Sequence, residues 1–332
     1  MPETTSGTSR LNDNYTPRHG WLQPGGPAYM CASDVAVGPD DYVYLIVRRP
    51  GQVVVHDPDG QFVRTFGLGV LSDDPHGITI AGREVICADT FGHVIRGFSF
   101  DGELLWTLGT VGVGSDTGVD PTIKDLFPRT ASIVRAGPPF NMPTNVAVAA
   151  NGDLFVSDGY GNTRIHRFSA KRELVTSWGH PGPAAGQFWI VHHVAITADG
   201  KVLVCDRGNE RIQVFETDGT FIESWTGLQR PACMVPRPDG TVFVGELEWR
   251  PGAGSFTRGR IQQLLLARIS VLDATGRVVS QSTVTDDERS FAFVSPHGMA
   301  IDSQGNLYVA DLLITPATEP SRPMVQKFVP VA

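Results

Sequence analysis

One phrase returns along this sequence with a period of about forty residues, and a period of that size restricts a chain to stacked or radially repeated architectures. Each copy is an apolar strand, a turn built on Asp/Asn-Gly, and a second apolar strand ending in an acid. The plainest copy is Thr144-Asn-Val-Ala-Val-Ala-Ala-Asn-Gly-Asp-Leu-Phe-Val-Ser-Asp158. His192-His-Val-Ala-Ile-Thr-Ala-Asp-Gly-Lys-Val-Leu-Val-Cys-Asp206 repeats it without a gap, and His297-Gly-Met-Ala-Ile-Asp-Ser-Gln-Gly-Asn-Leu-Tyr-Val-Ala-Asp311 does so again. Looser copies run from Ser33 to Val47, from His76 to Asp89 with one turn residue trimmed, and from Ala232 to Glu246. The segments that follow, such as Arg164-Ile-His-Arg-Phe168 and Glu173-Leu-Val-Thr-Ser-Trp-Gly179, alternate apolar and polar residues as half-buried strands do. Four strands per unit and six units predict an all-β fold, a six-bladed β-propeller. A sandwich of the same length would need no repeated phase. The 37 glycines and 24 prolines among 332 residues supply the many turns such a fold requires.

The chain reads as a flexible lead-in over residues 1–20 and a single propeller domain over 21–332, and the segment before Ser33 can supply a strand that closes the ring. Three insertions interrupt the period, near Thr110 to Phe140, Leu247 to Leu266 and Leu312 to Arg322. Long loops on a rigid scaffold commonly carry binding. A formal charge of −8 leaves no basic stripe for phosphates, which argues against nucleic acid and against an anionic membrane surface as partners. A small molecule or short peptide is the expected partner, with no obligate protein partner evident. The polar N-terminus lacks the apolar core of a secretory signal, and no run reaches the ~18 apolar residues that span a bilayer. Cys31, Cys87, Cys205 and Cys233 lie far apart without a CxxC pair, so buried reduced thiols and a cytoplasmic location are expected.

Superposing the six copies puts the chemistry in register. The opening residue is Ser33, His76, Thr144, His192, Ala232 and His297 in turn, so histidine falls on blades two, four and six. Equivalent positions in a propeller lie at one height around the axis, and three imidazoles at the corners of a triangle outline a metal site. Three neutral imidazoles with an open fourth position suit zinc. A lone histidine would instead read as a satisfied core residue. His193 is expected to point to the other side of its strand, and His93, His166 and His180 to lie on the surface. The closing acids Asp89, Asp158, Asp206, Glu246 and Asp311 form a second register. Their recurrence predicts a repeated turn in which a carboxylate accepts backbone N–H bonds rather than a cation trap. Just beyond the acid stand Arg207 in blade four and Tyr160 in blade three, while in blade one Arg48 follows Val47. Two guanidiniums and a phenol beside a metal would make an anion clamp with a general base.

Pro75-His-Gly-Ile78, Pro143-Thr-Asn-Val-Ala-Val148, Val156-Ser-Asp-Gly-Tyr-Gly-Asn-Thr-Arg-Ile165, Gly186-Gln-Phe188, Asp206-Arg-Gly-Asn-Glu-Arg-Ile-Gln213 and Pro296-His-Gly298 resemble the peptidyl-α-hydroxyglycine α-amidating lyases. These are propellers of NHL-type repeats. The resemblance runs from about Ser33 to Phe328 and is strongest over blades three and four. It implies zinc held by His76, His192 and His297, Tyr160 as catalytic base and Arg207 as a catalytic arginine. Arg48 matches the first-blade arginine, with Arg49 as the competing candidate. The implied reaction breaks the C–N bond of a carbinolamide to give an aldehyde and an amide. Two departures stand out. The family's last zinc histidine is followed by an Asp that helps bind a structural calcium, where this chain has Gly298, with Asp34 as the residue that could substitute as a second cation ligand. The cysteine that follows the tyrosine in secreted members is Gly161 here.

Three functions remain open on this reading. One is a zinc lyase acting on a small or medium α-hydroxylated substrate. A second uses the same site for hydrolysis or hydration, as a lactonase-like propeller would. The third is a non-catalytic platform in which the histidines only pack. No HExxH, Walker loop or GxSxG elbow offers other chemistry.

Overall fold

A computed structural model of the chain describes residues 14–282, 293–312 and 324–331. Six four-stranded antiparallel sheets stand around one axis. Blade one is Cys31–Val37, Val43–Arg48, Gln52–His56 and Phe62–Phe66, and blade two is Gly77–Ala81, Glu84–Asp89, Val94–Ser99 and Leu104–Leu108. Blade three comprises Pro143–Val148, Leu154–Asp158, Arg164–Phe168 and Leu174–Trp178, and blade four Val191–Ile196, Val202–Asp206, Arg211–Phe215 and Phe221–Trp225. Blade five takes Pro231–Pro236, Val242–Glu246, Arg268–Leu272 and Val278–Gln281. Blade six is built of Pro296–Ile301, Leu307–Asp311 and Val325–Pro330, with Tyr15–Pro17 as its outer strand.

That last strand corrects the expected boundary of the lead-in. Tyr15 pairs with Pro330 and Pro17 with Phe328, so the chain enters the propeller before residue 21 and its N-terminal segment closes the ring. Tyr15 packs edge-on to Phe243 of blade five and donates its hydroxyl to Gly305 O at 3.0 Å. The remainder of the lead-in, residues 1–13, lies outside the described residues, as does the third insertion beyond Leu312.

The core follows from the strand pattern. Second strands such as Leu154–Asp158 and Val202–Asp206 are buried along their whole length, whereas outer strands such as Leu104–Leu108 alternate exposed and half-buried. Six apolar clusters result, one in each cleft between neighbouring blades. The cluster between blades six and one holds Trp21, Leu45, Val47, Tyr308 and Val325. Each buried large side chain contributes about 1.5–3 kcal/mol, so the closing cleft is stabilised by the same means as the other five.

The inner strands explain how the repeat aims its side chains. In blades one, three, four, five and six the first pair of strands shifts register at the opening residue: Ser33, Thr144, His192, Ala232 and His297 are each skipped by the ladder. Such a bulge bends the strand and redirects the residue it releases. In blade two, His76 stands just ahead of the first strand with its N–H donated to Ala88 O at 2.9 Å. Odd blades then buttress even ones. Ser33 Oγ donates to His76 O at 2.9 Å and Thr144 Oγ1 to Val191 O at 3.0 Å.

The closing acids behave as the sequence predicts. Asp89 accepts from Ser72 N, Asp158 from Asn141 N, Asp206 from Trp189 N, Glu246 from Gln229 N and Asp311 from Ser295 N. Each carboxylate thus ties down the loop that leads into its own blade. His166 corrects the expectation of a surface residue. It is fully buried, with Nδ1 2.8 Å from Ser177 Oγ and Nε2 3.3 Å from Asp158 Oδ2. His93 is half-buried and accepts from Met142 N at 3.2 Å, while His180 is exposed.

Candidate functional site

The three histidines meet on the axis. Their ring centroids are 4.7 Å (His76–His192), 4.6 Å (His76–His297) and 4.6 Å (His192–His297) apart, and all three are at most 3% exposed. Each Nδ1 faces a carbonyl of the next blade's opening residue: His76 with Thr144 O at 2.7 Å, His192 with Ala232 O at 2.5 Å, His297 with Ser33 O at 2.7 Å. A carbonyl can only accept, so each Nδ1 carries the proton and each Nε2 turns a lone pair inward. Burial, then the neighbouring imidazoles and guanidiniums, hold all three rings well below the usual histidine range and therefore neutral.

Tyr160 completes this floor. Its Oη lies 2.9 Å from His76 Nε2, 2.9 Å from His192 Nε2 and 3.3 Å from Arg207 Nη1. One hydroxyl has one proton to give, yet two of the three inward lone pairs, those of His76 and His192, face it. That surplus of donors of electron pairs is the chemistry of a metal site, and the ligand atoms lie within 4.8 Å of one another. Among the described residues this is the one group of three or more His, Cys, Asp or Glu side chains placed to share an ion. The residues present fit a tetrahedral zinc ion with one open position.

Local backbone bonds place the tyrosine and the arginine. Asp158 holds Asn141 N, and Asn141 O accepts from Gly161 N at 3.0 Å, which pins the loop carrying Tyr160. A side chain at Gly161 would come within 2.1 Å of Asn141 Oδ1, so this loop has no room for a cysteine there. In blade four Asp206 holds Trp189 N, Arg207 N donates to Ile190 O at 3.1 Å, and a 3-10 turn over Arg207–Asn209 presents the arginine, 4% exposed, toward the axis. Arg48 ends the second strand of blade one and donates Nε to Pro75 O at 3.0 Å, beside His76. Arg49 lines the same cavity as Arg48 but is held in an ion pair with Asp74 at 3.0 Å. Of the two, Arg48 is the one whose charge acts on His76 and His297.

Above the floor lies a cavity of about 400 Å³, walled in part by Arg48, Tyr160, Arg207, Arg230 and His297. Two insertions adjoin it: the first lends Lys124, Leu126 and Arg129 to its wall and the second Leu247, and the hairpin of the second lines a neighbouring cavity. In the first, helix α1 (Leu126–Ala131) is capped by Asp125, whose carboxylate accepts Phe127 N at 3.2 Å. In the second, a short hairpin pairs Gly254–Ser255 with Gly259–Arg260. Phe256 at its tip packs 4.4 Å from Phe127 and stacks on Trp189 at 4.7 Å. Arg129 and Arg230 join the wall, and neither belongs to the registers read from the sequence. Continuing the alignment two residues upstream of the opening position would have found Arg230: Met142, Ile190 and Arg230 share that place and all have positive φ. Arg129 sits in an insertion with no repeat to align.

On the far side of the histidines the next ring of residues includes Asp34, Asn145 and His193, all lining a second opening. His193 points away from the triad, as its place in the strand predicts. A side chain at Gly298 would meet Asp34 Oδ1 at 2.1 Å, so the Asp34 carboxyl fills the space that position would otherwise occupy. Its oxygens are engaged by Val35 N at 2.8 Å, Ile78 N at 2.9 Å and Asn145 Nδ2 at 3.3 Å. Burial pushes this acid up to about 7. Calcium needs six to eight oxygens, and one carboxyl already committed to backbone is a poor start for such a shell.

Comparison with known proteins agrees with this architecture. Residues 188–215 match the NHL repeat family. The chain is a six-bladed propeller whose fourth blade carries an NHL repeat. NHL repeat-containing protein 3 of Homo sapiens is 28% identical over 94% of this chain and 83% of its own length. Peptidyl-alpha-hydroxyglycine alpha-amidating lyase 1 of Drosophila melanogaster is 29% identical over 53% of this chain and 34% of its own. A streptogramin B lyase structure superposes with a TM-score of 0.60 over 97% of this chain and 100% of that one, at 11% identity, a likeness of fold alone. The four cysteines are free and buried. Among the described residues no helix is long and apolar enough to cross a membrane.

Proposed function

We propose that this propeller is a zinc-dependent carbon–nitrogen lyase that cleaves N-acyl or short peptidyl α-hydroxyglycines to an amide and glyoxylate. The observation that carries the reading is the convergence of three inward Nε2 atoms, the Tyr160 hydroxyl and the Arg207 guanidinium on the floor of one cavity. A platform with packing histidines would satisfy both nitrogens of each ring within the protein, whereas here the Nε2 atoms of His76 and His192 share one phenol with a single proton to donate. Similarity to the amidating lyases supports the choice of substrate.

A zinc ion held by His76, His192 and His297 would supply Lewis-acid stabilisation of the substrate's hydroxyl oxygen. The chain's own residues do the rest. Arg48 and Arg207 bind the α-carboxylate and the developing carbonyl oxygen, placing the hydroxyl over Tyr160. Tyr160 Oη, acting as the phenolate, accepts the hydroxyl proton as the C–O bond becomes a carbonyl and the C–N bond breaks. The electron pair leaves on nitrogen, which takes that proton from Tyr160, so the products are a primary amide and an aldehyde and the phenolate is restored. Phe127 and Phe256 line an adjoining cavity that shares Arg207 and Arg230 with this one, and the acyl portion would rest there.

The test is to incubate the zinc-supplied protein with α-hydroxyhippurate and quantify benzamide and glyoxylate. Equimolar products above the uncatalysed rate are expected. Turnover of lactones in place of this substrate would favour the hydrolase reading, and no turnover of either would count against an enzyme.

A further inference from the structure

The cavity over Tyr160 holds more positive charge than the proposed reaction uses. Arg48, Arg49, Lys124, Arg129, Arg207 and Arg230 line it against one acid, Asp74, in a chain whose formal charge is −8. Asp74 is taken by Arg49, and Arg48 and Arg207 flank the histidines. Arg129, Arg230 and Lys124 are left over. The acids nearest Arg230 are otherwise engaged: Glu210 by Arg258, Thr257 and Trp249, and Glu248 by Arg250.

The two leftover arginines are built into the site, whereas Lys124 is exposed. Arg230 donates Nη1 to Glu248 O at 2.6 Å and lies 4.4 Å over the Trp249 ring, which fixes its plane. Burial, with Arg207 close by, draws its guanidinium down to about 9, still charged at neutral pH. Arg129 projects from α1; the one acid acting on it, Asp125, is engaged by Phe127 N, and Nε of Arg129 is buried without a hydrogen bond, as is Nε of Arg207. Both Arg129 and Arg230 lie within electrostatic reach of Tyr160, yet neither has a hydrogen bond to it. Cations drawn from water without an anion are costly, and a planar guanidinium is matched by a carboxylate or phosphate.

We propose that the substrate carries a second anionic group, a carboxylate or a phosphate distant from its α-carboxylate, and that Arg129 and Arg230 bind it; this rests on the lyase reading above. These arginines act as specificity residues. They select a small doubly anionic acyl-hydroxyglycine over a neutral one, and leave Arg48, Arg207 and Tyr160 to the reacting end.

The experiment measures calorimetric binding of butyrate, glutarate and 2-phosphoglycolate to the full-length protein with and without added zinc, for the wild type, Arg129→Gln and Arg230→Gln. Glutarate or 2-phosphoglycolate should bind at least about tenfold tighter than butyrate, the gain expected of one charge-assisted hydrogen bond. Each variant should lose about that tenfold for the dianion while butyrate shifts less than about twofold. Which dianion gains shows whether the second group is carboxylate or phosphate. Equal affinity for mono- and dianions, binding of none of them, or a variant that weakens butyrate and dianion alike overturns the proposal. Dianion binding that depends on Arg129 without cleavage of any acyl-hydroxyglycine would leave this site standing and remove the lyase reading. Cleavage with no preference for N-succinyl over N-butyryl substrates would do the reverse.

Discussion

Replacing Tyr160 by phenylalanine removes one oxygen and little else. The ring stays packed between His76 at 5.0 Å, His192 at 5.6 Å and the Arg207 guanidinium at 5.5 Å. What disappears is Oη, 2.9 Å from two imidazoles and 3.3 Å from Arg207. For folding, one half-buried hydroxyl contributes about 1 kcal/mol. For catalysis, an absent proton acceptor costs a factor of about 100 to 10,000, equivalent to about 3–5 kcal/mol of barrier. The two effects therefore separate. Turnover of α-hydroxyhippurate, melting temperature and zinc content should be measured on the same Tyr160→Phe preparation. The expected result is kcat down by about two to four orders of magnitude, KM within about threefold because the arginines are untouched, and metal content unchanged. Turnover within about tenfold of wild type with metal retained would refute the assignment of Tyr160 as the base.

Two further outcomes follow from the buried acids. Asp158→Ala strips acceptors from Asn141 N, Asn162 Nδ2 and His166 Nε2 in a fully buried setting; it should cost about 3–5 kcal/mol by denaturant unfolding and loosen Tyr160, whereas a loss under about 1 kcal/mol would contradict the role given to the closing acids. Asp34, with a folded-state value of about 7 above the unfolded value of about 3.9, holds a proton in the native state that the unfolded chain releases. Its contribution is fully present below about pH 4 and is lost as pH rises toward 7, at up to about 1.4 kcal/mol per pH unit. The stability of the wild type relative to Asp34→Asn, from urea unfolding at pH 5, 6 and 7, should accordingly decline with pH, and a constant difference would contradict the desolvation argument.

What the sequence revealed, it revealed through repetition. A histidine on every second blade is visible because six copies share one phase, and the same phase put Tyr160 and Arg207 at its edge. The bulge that turns the opening residue to the axis leaves no separate mark in composition, but its position recurs with the phrase, so alignment located it without naming it. His166 shows where the method fails. It stands in an alternating strand on the face that turns toward Asp158, and local polarity gave no hint that a polar partner awaited it inside. Arg129 and Arg230 were missed because they lie in connecting segments, where placement depends on contacts between α1, the loop before blade five and the hairpin at 254–260, none of which are adjacent in sequence. The swap of a carboxyl from position 298 to Asp34 was legible only as a candidate; its engagement with Val35, Ile78 and Asn145 needed three blades in space.

The central claim is a metal held by His76, His192 and His297, and elemental analysis of the untagged protein beside its His192→Ala variant tests it most directly. The account predicts about one zinc ion per chain in the wild type and its loss in a variant that keeps its fold by circular dichroism. No stoichiometric transition metal in the wild type, even after zinc is supplied and excess removed, would contradict it.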